Sequence, residues 1–105
     1  MRKGKVYYKD LFAGTIEEDI GYTFVYDKEY IKSENAKPIS LTMPLRDEPF
    51  KSSFMFAFFD GLIPEGWLLD IAEKNWKINS RDRMGLLLAF CNDCIGAVSI
   101  IPEES

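Results

Sequence analysis

Cys91 and Cys94 are separated by two residues, which is the spacing of a thiol redox motif or of half a zinc site. The chain contains no histidine, and zinc would need further cysteine or histidine ligands. The pair is also predicted at the C-terminal end of a helix, where the helix dipole disfavours a reactive thiolate. We therefore interpret both cysteines as small buried residues. A thiol oxidoreductase stays as an alternative, tested by replacing both cysteines with serine.

Two carboxylate pairs could in principle perform the acid–base chemistry of a glycosidase, Glu17 with Glu18 and Asp60 with Glu65. The first pair is typical of a solvated turn. The second pair lies beside two glycines, where acidic side chains commonly hydrogen-bond to backbone amides. Without histidine there is no Ser–His or Cys–His nucleophile, and the glycines match no nucleotide-binding loop. The sequence thus predicts a protein that is not an enzyme, with no catalytic residue, metal or cofactor.

Charge and hydropathy narrow the possible partners further. The formal net charge is −4, and lysine and arginine are scattered along the chain, so direct binding to DNA or RNA is disfavoured. No apolar run approaches the roughly 20 residues that cross a bilayer, and the first residues do not resemble a signal peptide. We expect a cytoplasmic protein that binds neither nucleic acid nor membrane.

Aromatic side chains are concentrated in the middle of the chain. We expect most of these five phenylalanines to fill the core; they are Phe50, Phe54, Phe56, Phe58 and Phe59. Trp67 follows Pro64, Glu65 and Gly66 at a predicted turn into a helix. A large side chain there can either cover the core or project as an anchor for a partner, and both interpretations stay open.

The elements that position these residues begin with a sheet. Residues 5–9, 13–16 and 22–26 are rich in β-branched and aromatic residues and predict a three-stranded meander. Residues 97–101 predict a last strand, ending before Pro102, that joins this sheet. Residues 39–43 alternate like a further strand, between prolines.

Helical patterns fill the rest of the chain. One helical turn is predicted at 28–32, a short buried helix within 55–63, and a helix at 67–76. Another helix is predicted with Ser80 as its N-cap and Asp82 in its first turn; its apolar face is Met84, Leu87, Leu88 and Cys91. The predicted fold class is α+β, a small N-terminal antiparallel sheet packed with two to three short helices, as a single domain over residues 1–105.

Three stretches together resemble the N-terminal subdomain of HipA-family serine/threonine kinases. They are PISLTMPLR at 38–46, FFDGLIPEG at 58–66 and DCIGAVS at 93–99, in the same order and spacing as in that family. The chain departs from the family pattern at Gly61, where asparagine is usual, and at Cys91 and Asn92, where glycines are common. A HipA kinase continues for several hundred residues through its ATP-binding and catalytic segments, whereas this sequence stops at Ser105.

The resemblance therefore implies a stand-alone HipS-like protein of the HipBST toxin–antitoxin systems. Such proteins bind and neutralise a separate HipT/HipA-type serine/threonine kinase, and a HipB-like helix-turn-helix protein binds operator DNA. We expect Trp67 to anchor the kinase, with Pro64, Glu65 and Gly66 setting its projection and Phe59 supporting the turn from beneath. The alternative is an N-terminal structural subdomain or fragment of a full-length HipA-type kinase.

Overall fold

The computed structural model describes residues 2–63, 82–91 and 97–103. Within these ranges lie five strands and three helices, which confirms the predicted α+β class. In chain order the elements are β1 (Arg2–Tyr8), β2 (Leu11–Glu18), β3 (Tyr22–Tyr26), α1 (Lys28–Lys32), β4 (Phe50–Ser52), α2 (Ala57–Asp60), α3 (Arg83–Phe90) and β5 (Val98–Glu103).

The strands form one antiparallel sheet in the order β4-β3-β2-β1-β5. The predicted meander and the predicted return of the last strand beside β1 are both confirmed. Strand β5 nevertheless runs through Pro102 to Glu103 rather than ending before the proline. Proline is tolerated there because β5 is an edge strand of the described sheet, so its missing N–H interrupts no further ladder.

The strand predicted at residues 39–43 is a tight turn instead. Ser40 and Met43 form an isolated bridge, in which the Met43 N–H donates to the Ser40 carbonyl at 3.1 Å. Pro38 and Pro44 flank the segment and have no N–H to give to a ladder. The strand that does pair with β3 is β4, which was not predicted from the sequence because three residues carry too little alternation to be recognised.

The described helices follow the predicted pattern, with one wrong boundary. Helix α1 is N-capped by Asp27, and α2 lies within the predicted 55–63 segment. The prediction of Ser80 as the N-cap of the third helix is wrong: α3 begins at Arg83, and the Asp82 carboxylate accepts a hydrogen bond from the Gly85 N–H at 3.1 Å. Ser80 and the helix predicted at 67–76 lie outside the described residues.

The core lies between one face of the sheet and helices α2 and α3. Its fully buried side chains include Ile16, Phe24, Phe59, Met84 and Leu87. Burial of such side chains from both layers provides the main free energy that holds the helices on the sheet. No helix in the described part of the chain is long and apolar enough to span a bilayer.

An ion-pair network ties the first strand to α3. The Arg2 guanidinium donates to both Asp82 carboxylate oxygens, at 3.0 and 2.6 Å, and to Glu18 at 2.7 Å. The same Asp82 side chain caps α3, so one carboxylate serves as both helix cap and ion-pair partner. Its hydrogen bonds with Arg2, and the Gly85 N–H, hold the pKa of Asp82 below its usual value, against the smaller opposing effect of burial.

This network predicts an acid-sensitive component of stability. Because the folded-state pKa of Asp82 is lowered, its contribution is present above the unfolded-state pKa, about 4, and is lost as the pH falls through the folded-state value. We expect Asp82→Asn to be less stable than wild type at neutral pH and to lose less stability on acidification. Urea unfolding at a series of pH values measures how the free energy of unfolding of each protein depends on pH. Parallel pH profiles for the two proteins would contradict this assignment.

Candidate protein-binding site

An open groove of about 570 Å³ lies where β1 and β5 meet residues 37–41, which lead into the 39–43 turn. We call it the groove, and its described lining residues are Tyr8, Lys37, Pro38, Ile39, Ser40, Leu41, Phe58, Leu62, Ala97 and Val98. Among them Lys37 is the one charged side chain. A concave surface lined mainly by apolar groups, with few polar ones, suits the apolar side chains of another molecule.

Two tyrosine hydroxyls fix the backbone along one wall of the groove. The Tyr26 hydroxyl accepts from the Ile39 N–H at 3.0 Å and donates to the Met43 carbonyl, which closes the turn from within. The Tyr30 hydroxyl donates to the Lys37 carbonyl at 2.6 Å and accepts from the Lys37 N–H at 3.1 Å. Burial raises the pKa of Tyr26, so its hydroxyl stays protonated and keeps donating at neutral pH.

The turn fixed in this way presents Leu41 to solvent. Leu41 is 100% exposed, while Ile39 and Met43 on either side of it are buried. The Ser40 hydroxyl accepts from the Thr42 N–H at 3.2 Å and lies 3.0 Å from the Thr42 hydroxyl, which braces the tip. A large apolar side chain held outward on an ordered turn loses little backbone entropy when a partner covers it.

The predicted supporting residue, Phe59, lies in the core beneath the groove. It is fully buried, and its ring packs against Phe24, Phe56 and Phe58, with centroid distances of 5.5, 6.1 and 5.3 Å. Its side chain can therefore contribute to binding only by supporting the residues above it. Phe58, which was predicted to lie in the core, is half-buried and lines the groove itself.

The other predicted site residues, Pro64, Glu65, Gly66 and Trp67, lie outside the described residues. The chain enters that segment directly from the groove, because Leu62 lines it and precedes Pro64 by two positions. The backbone is held at this point, since the Leu62 N–H donates to the Phe59 carbonyl at 3.0 Å. The described chain that precedes the predicted anchor segment therefore ends next to the groove.

The cysteine considered for redox chemistry has a structural role at the same place. Cys91 is fully buried at the C-terminal end of α3, and its thiol donates to the Leu62 carbonyl at 3.4 Å. A thiol that is buried in apolar surroundings has a low tendency to form the reactive thiolate. For Cys91 the interpretation as a small buried residue is therefore supported, and Cys94 lies outside the described residues.

The carboxylates considered for acid–base chemistry are engaged in ion pairs. Asp60 accepts from the Arg83 guanidinium at 2.5 Å, which links α2 to α3, where backbone hydrogen bonds were predicted. The predicted turn at Glu17 and Glu18 is wrong, because both residues belong to β2 and pair with basic residues of β1. Within the described ranges, no group of three or more potential ligands could hold a metal ion.

The groove itself was not predicted from the sequence. Its wall comes from residues 37–41, which were interpreted as extended chain, and its floor from residues of three distant elements. The available signal was Tyr26 and Tyr30, four residues apart, whose hydroxyls must find partners when buried. That signal predicts a nearby ordered segment but not which segment it is.

Comparison with known proteins places the chain in a recognisable group. Residues 4–101 match the family model described as the HipA N-terminal domain. The protein named "Uncharacterized protein" of Haemophilus influenzae is 34% identical over 105 residues, which span 99% of this chain and 95% of that protein. The protein named "Putative kinase Y4mE" of Sinorhizobium fredii is 31% identical over 86 residues, which span 82% of this chain but only 20% of that protein.

Two solved structures share the fold. One is described as the N-terminal domain of HipA toxin; it has a TM-score of 0.77, 32% identity, and coverage of 100% of this chain and 95% of that one. The other is a complex of HipA and HipB with operator DNA from Shewanella oneidensis. Its matching chain has a TM-score of 0.75 at 23% identity, with 97% of this chain covering 24% of that chain.

Proposed function

The chain belongs to the HipA N-terminal domain family, and on that premise we propose that it is a non-enzymatic, antitoxin-like module that binds and neutralises a separately encoded HipT/HipA-type serine/threonine kinase. It acts in the cytoplasm as one domain over residues 1–105. The observation that carries this proposal is that the same domain forms a fifth of one protein named as a putative kinase and nearly the whole of another, short protein.

A domain that forms a fifth of a longer protein needs a face toward the remainder of that protein. The equivalent face of a separate chain is left to be covered by a partner that supplies the missing remainder. An apolar groove with an exposed leucine on a fixed turn suits such a face, and it lies on the side where the predicted anchor segment begins. The groove is therefore our candidate for the kinase-binding surface.

The described titratable groups support a binding role rather than a catalytic one. Asp82 caps α3 and binds Arg2, Asp60 pairs with Arg83, and the Cys91 thiol bonds to a buried carbonyl. Groups whose hydrogen bonds hold elements together are poor candidates for general acids, bases or nucleophiles, which must reach a substrate. Inhibition by occupying a surface of the kinase requires no general acid, base or nucleophile.

For kinase binding we assign Trp67 as the central anchor, with Pro64, Glu65 and Gly66 setting its projection. Phe59 supports that turn from the core. This assignment rests on the sequence, and its physical basis is that buried tryptophans at interface centres contribute more to affinity than most other residue types. Leu41, on the turn that lines the groove, is a second proposed contact.

A HipB-like helix-turn-helix protein is a proposed third component. The net charge of −4 disfavours direct contact of this chain with DNA, so operator binding would belong to that protein. The Shewanella complex contains HipA, HipB and operator DNA, and at its level of identity it supports the shared fold alone. Pull-down of the ternary complex with and without the kinase distinguishes a direct contact from one mediated by the kinase.

Leu41→Ala tests whether the groove faces the kinase. Burial of a leucine side chain contributes about 1.5–3 kcal/mol, so we expect calorimetric titration against the neighbouring kinase to show affinity weakened about tenfold or more. Ile20→Ala is the matched control, because Ile20 is equally exposed, at 102%, on the β2–β3 connection. Equal effects of the two substitutions, or no effect of either, would show that the kinase binds a surface other than the groove.

The fragment alternative makes a different prediction. If the domain is a structural subdomain of a full-length HipA-type kinase, the reading frame continues into the kinase without a stop codon. The Sinorhizobium relative, in which the domain is one-fifth of the protein, is the observation that favours it. Sequencing the transcript across the end of this chain decides between a separate module and a subdomain.

A further inference from the structure

The outer face of the sheet, opposite to the core, carries an ordered pattern of side chains. Along β1 the buried Gly4 and Val6 alternate with outward-facing Lys3, Lys5 and Tyr7. The register extends this outward set across the neighbouring strands. We define the outer face by these residues: Lys3, Lys5, Tyr7, Phe12, Thr15, Glu17, Thr23, Val25, Lys51, Ser99, Ile101 and Glu103.

One end of the outer face is a row of alternating charge. Reading across the strands from β4 to β5, the register places side by side Lys51, Thr23, Glu17, Lys3 and Glu103. The Lys3 ammonium lies 3.6 Å from the Glu17 carboxylate, and both side chains are more than one-third exposed. Opposite charges at the row's centre are therefore available to a second surface as well as to each other.

The rest of the outer face carries apolar and aromatic side chains around Thr15 and Lys5. The next row places Val25, Thr15, Lys5 and Ile101 side by side, and the row beyond it pairs Phe12 with Tyr7. The Tyr7 and Phe12 rings pack edge to face with centroids 5.7 Å apart. Phe12 and Ile101 remain 36% and 40% exposed. These side chains form an apolar patch next to the charged row.

The pattern is complementary to itself under a two-fold rotation. The axis runs parallel to the strands, above the outer face and midway between β1 and β2. Rotation about it places a second copy face to face with the first, so that each row meets the same row of the copy in reverse order. Glu17 then faces Lys3 of the copy, and Phe12 faces Tyr7. Val25 faces Ile101, while the polar Thr15 and Thr23 face Lys5 and Glu103, and each pair occurs twice. A two-fold interface requires this kind of self-complementarity, in which residue i meets j and j meets i.

We propose that the outer face is a homodimer interface, in which two copies of this chain pack sheet against sheet about this axis. Sheets pack face to face at about 10 Å, close enough for the apolar side chains of both copies to interdigitate. The groove lies on the other side of the sheet, where Tyr8 and Val98 point toward the helices. A dimer of this form leaves both grooves open, so two kinases can be held at once.

Sedimentation velocity across a concentration series tests the dimer. We expect wild type to dimerise, and Phe12→Glu to weaken dimerisation at least about tenfold, because a charge replaces an aromatic contact that the symmetry uses twice. Ile20→Glu is the control, since it places the same charge on a more exposed apolar site outside the outer face. Circular dichroism verifies that each variant is folded.

Charge exchange provides a second test that does not depend on an apolar-to-charged change. Lys3→Glu and Glu17→Lys should each weaken the dimer about fivefold, because like charges then face each other across the axis. The double variant restores opposite charges and should recover wild-type affinity. Lys28→Glu, at an exposed position of α1, is the control: it changes the net charge by the same amount as Lys3→Glu and should leave the dimer unchanged.

Either of two results would overturn the proposal. A wild-type chain that stays monomeric at every concentration has no such interface. A dimer that persists in Phe12→Glu and in both single charge variants uses another surface. Kinase binding is measured separately through Leu41→Ala, so failure of the dimer and failure of the proposed function are distinguished.

Discussion

Phe59→Ala is expected to destabilise the protein by about 3–5 kcal/mol, the largest effect of any single substitution considered for the fold. Phe59 is fully buried, and its ring packs against three other phenylalanines between the sheet and α2. Truncation removes its transfer free energy and leaves a cavity that neighbours on two layers cannot fill without moving. Urea unfolding followed by circular dichroism measures the difference.

Phe54→Ala is the matched control for this prediction. Phe54 is 81% exposed, so the same truncation should change the free energy of unfolding by less than about 0.5 kcal/mol. Since small domains have a total stability of about 5–15 kcal/mol, the Phe59→Ala variant should be partly unfolded or close to it. Similar unfolding midpoints for the two variants would contradict the position of Phe59 in the core.

Trp67→Ala is expected to weaken binding to the kinase by about thirtyfold or more, equivalent to about 2 kcal/mol, if Trp67 is the central anchor. The physical reason is loss of a large side chain from the desolvated centre of an interface. Calorimetric titration against the kinase encoded beside this chain measures the change. The variant should retain the unfolding midpoint of wild type, because an anchor that projects to a partner contributes little to the isolated fold.

Trp76→Ala controls for the general effect of removing a tryptophan. The sequence places Trp76 on the apolar face of the helix predicted at 67–76, so its truncation should lower stability while leaving affinity unchanged. The reverse pattern, with stability lost in Trp67→Ala and affinity lost in Trp76→Ala, would exchange the two roles. Tight binding by both variants would keep the kinase-binding function and leave the anchor to another residue, with Leu41 the first to test.

The sheet could be predicted from the sequence because its strands carry their own signal. Residues 22–26 and 97–101 combine β-branched and aromatic residues with alternating burial, and this pattern arises from packing one face on the core. Residues 9 and 10 form the turn between β1 and β2, and Asp10 favours turns for a similarly local reason. Local composition was sufficient to predict the elements whose conformation depends on neighbouring residues in the sequence.

Tertiary contacts decided the features that the sequence did not predict. Residues 39–43 have strand-like alternation, but the Tyr26 hydroxyl bonds to both ends of the segment and closes it into a turn. Asp82, rather than Ser80, caps α3, and Arg2, eighty positions earlier, binds the same carboxylate. Neither long-range partner can be identified from spacing along the chain.

The same distinction applies to the candidate site. The apolar character of residues 58–63 and the position of Trp67 after a proline and a glycine were evident in the sequence. The groove was not, because it depends on bringing Tyr8, Leu41 and Ala97 together from separate elements. The groove can be recognised only once the sheet register and the turn held by the Tyr26 hydroxyl are known.

The most direct test of the central claim is the phosphotransfer activity of the proposed partner, a HipT/HipA-type kinase, titrated with this chain. We expect the wild-type chain to abolish kinase activity near one molar equivalent, and Trp67→Ala to need at least about thirtyfold more. A kinase that retains full activity with excess chain, or becomes active only in its presence, would contradict an inhibitory module. Activation would instead identify the chain as a structural subdomain that completes the kinase.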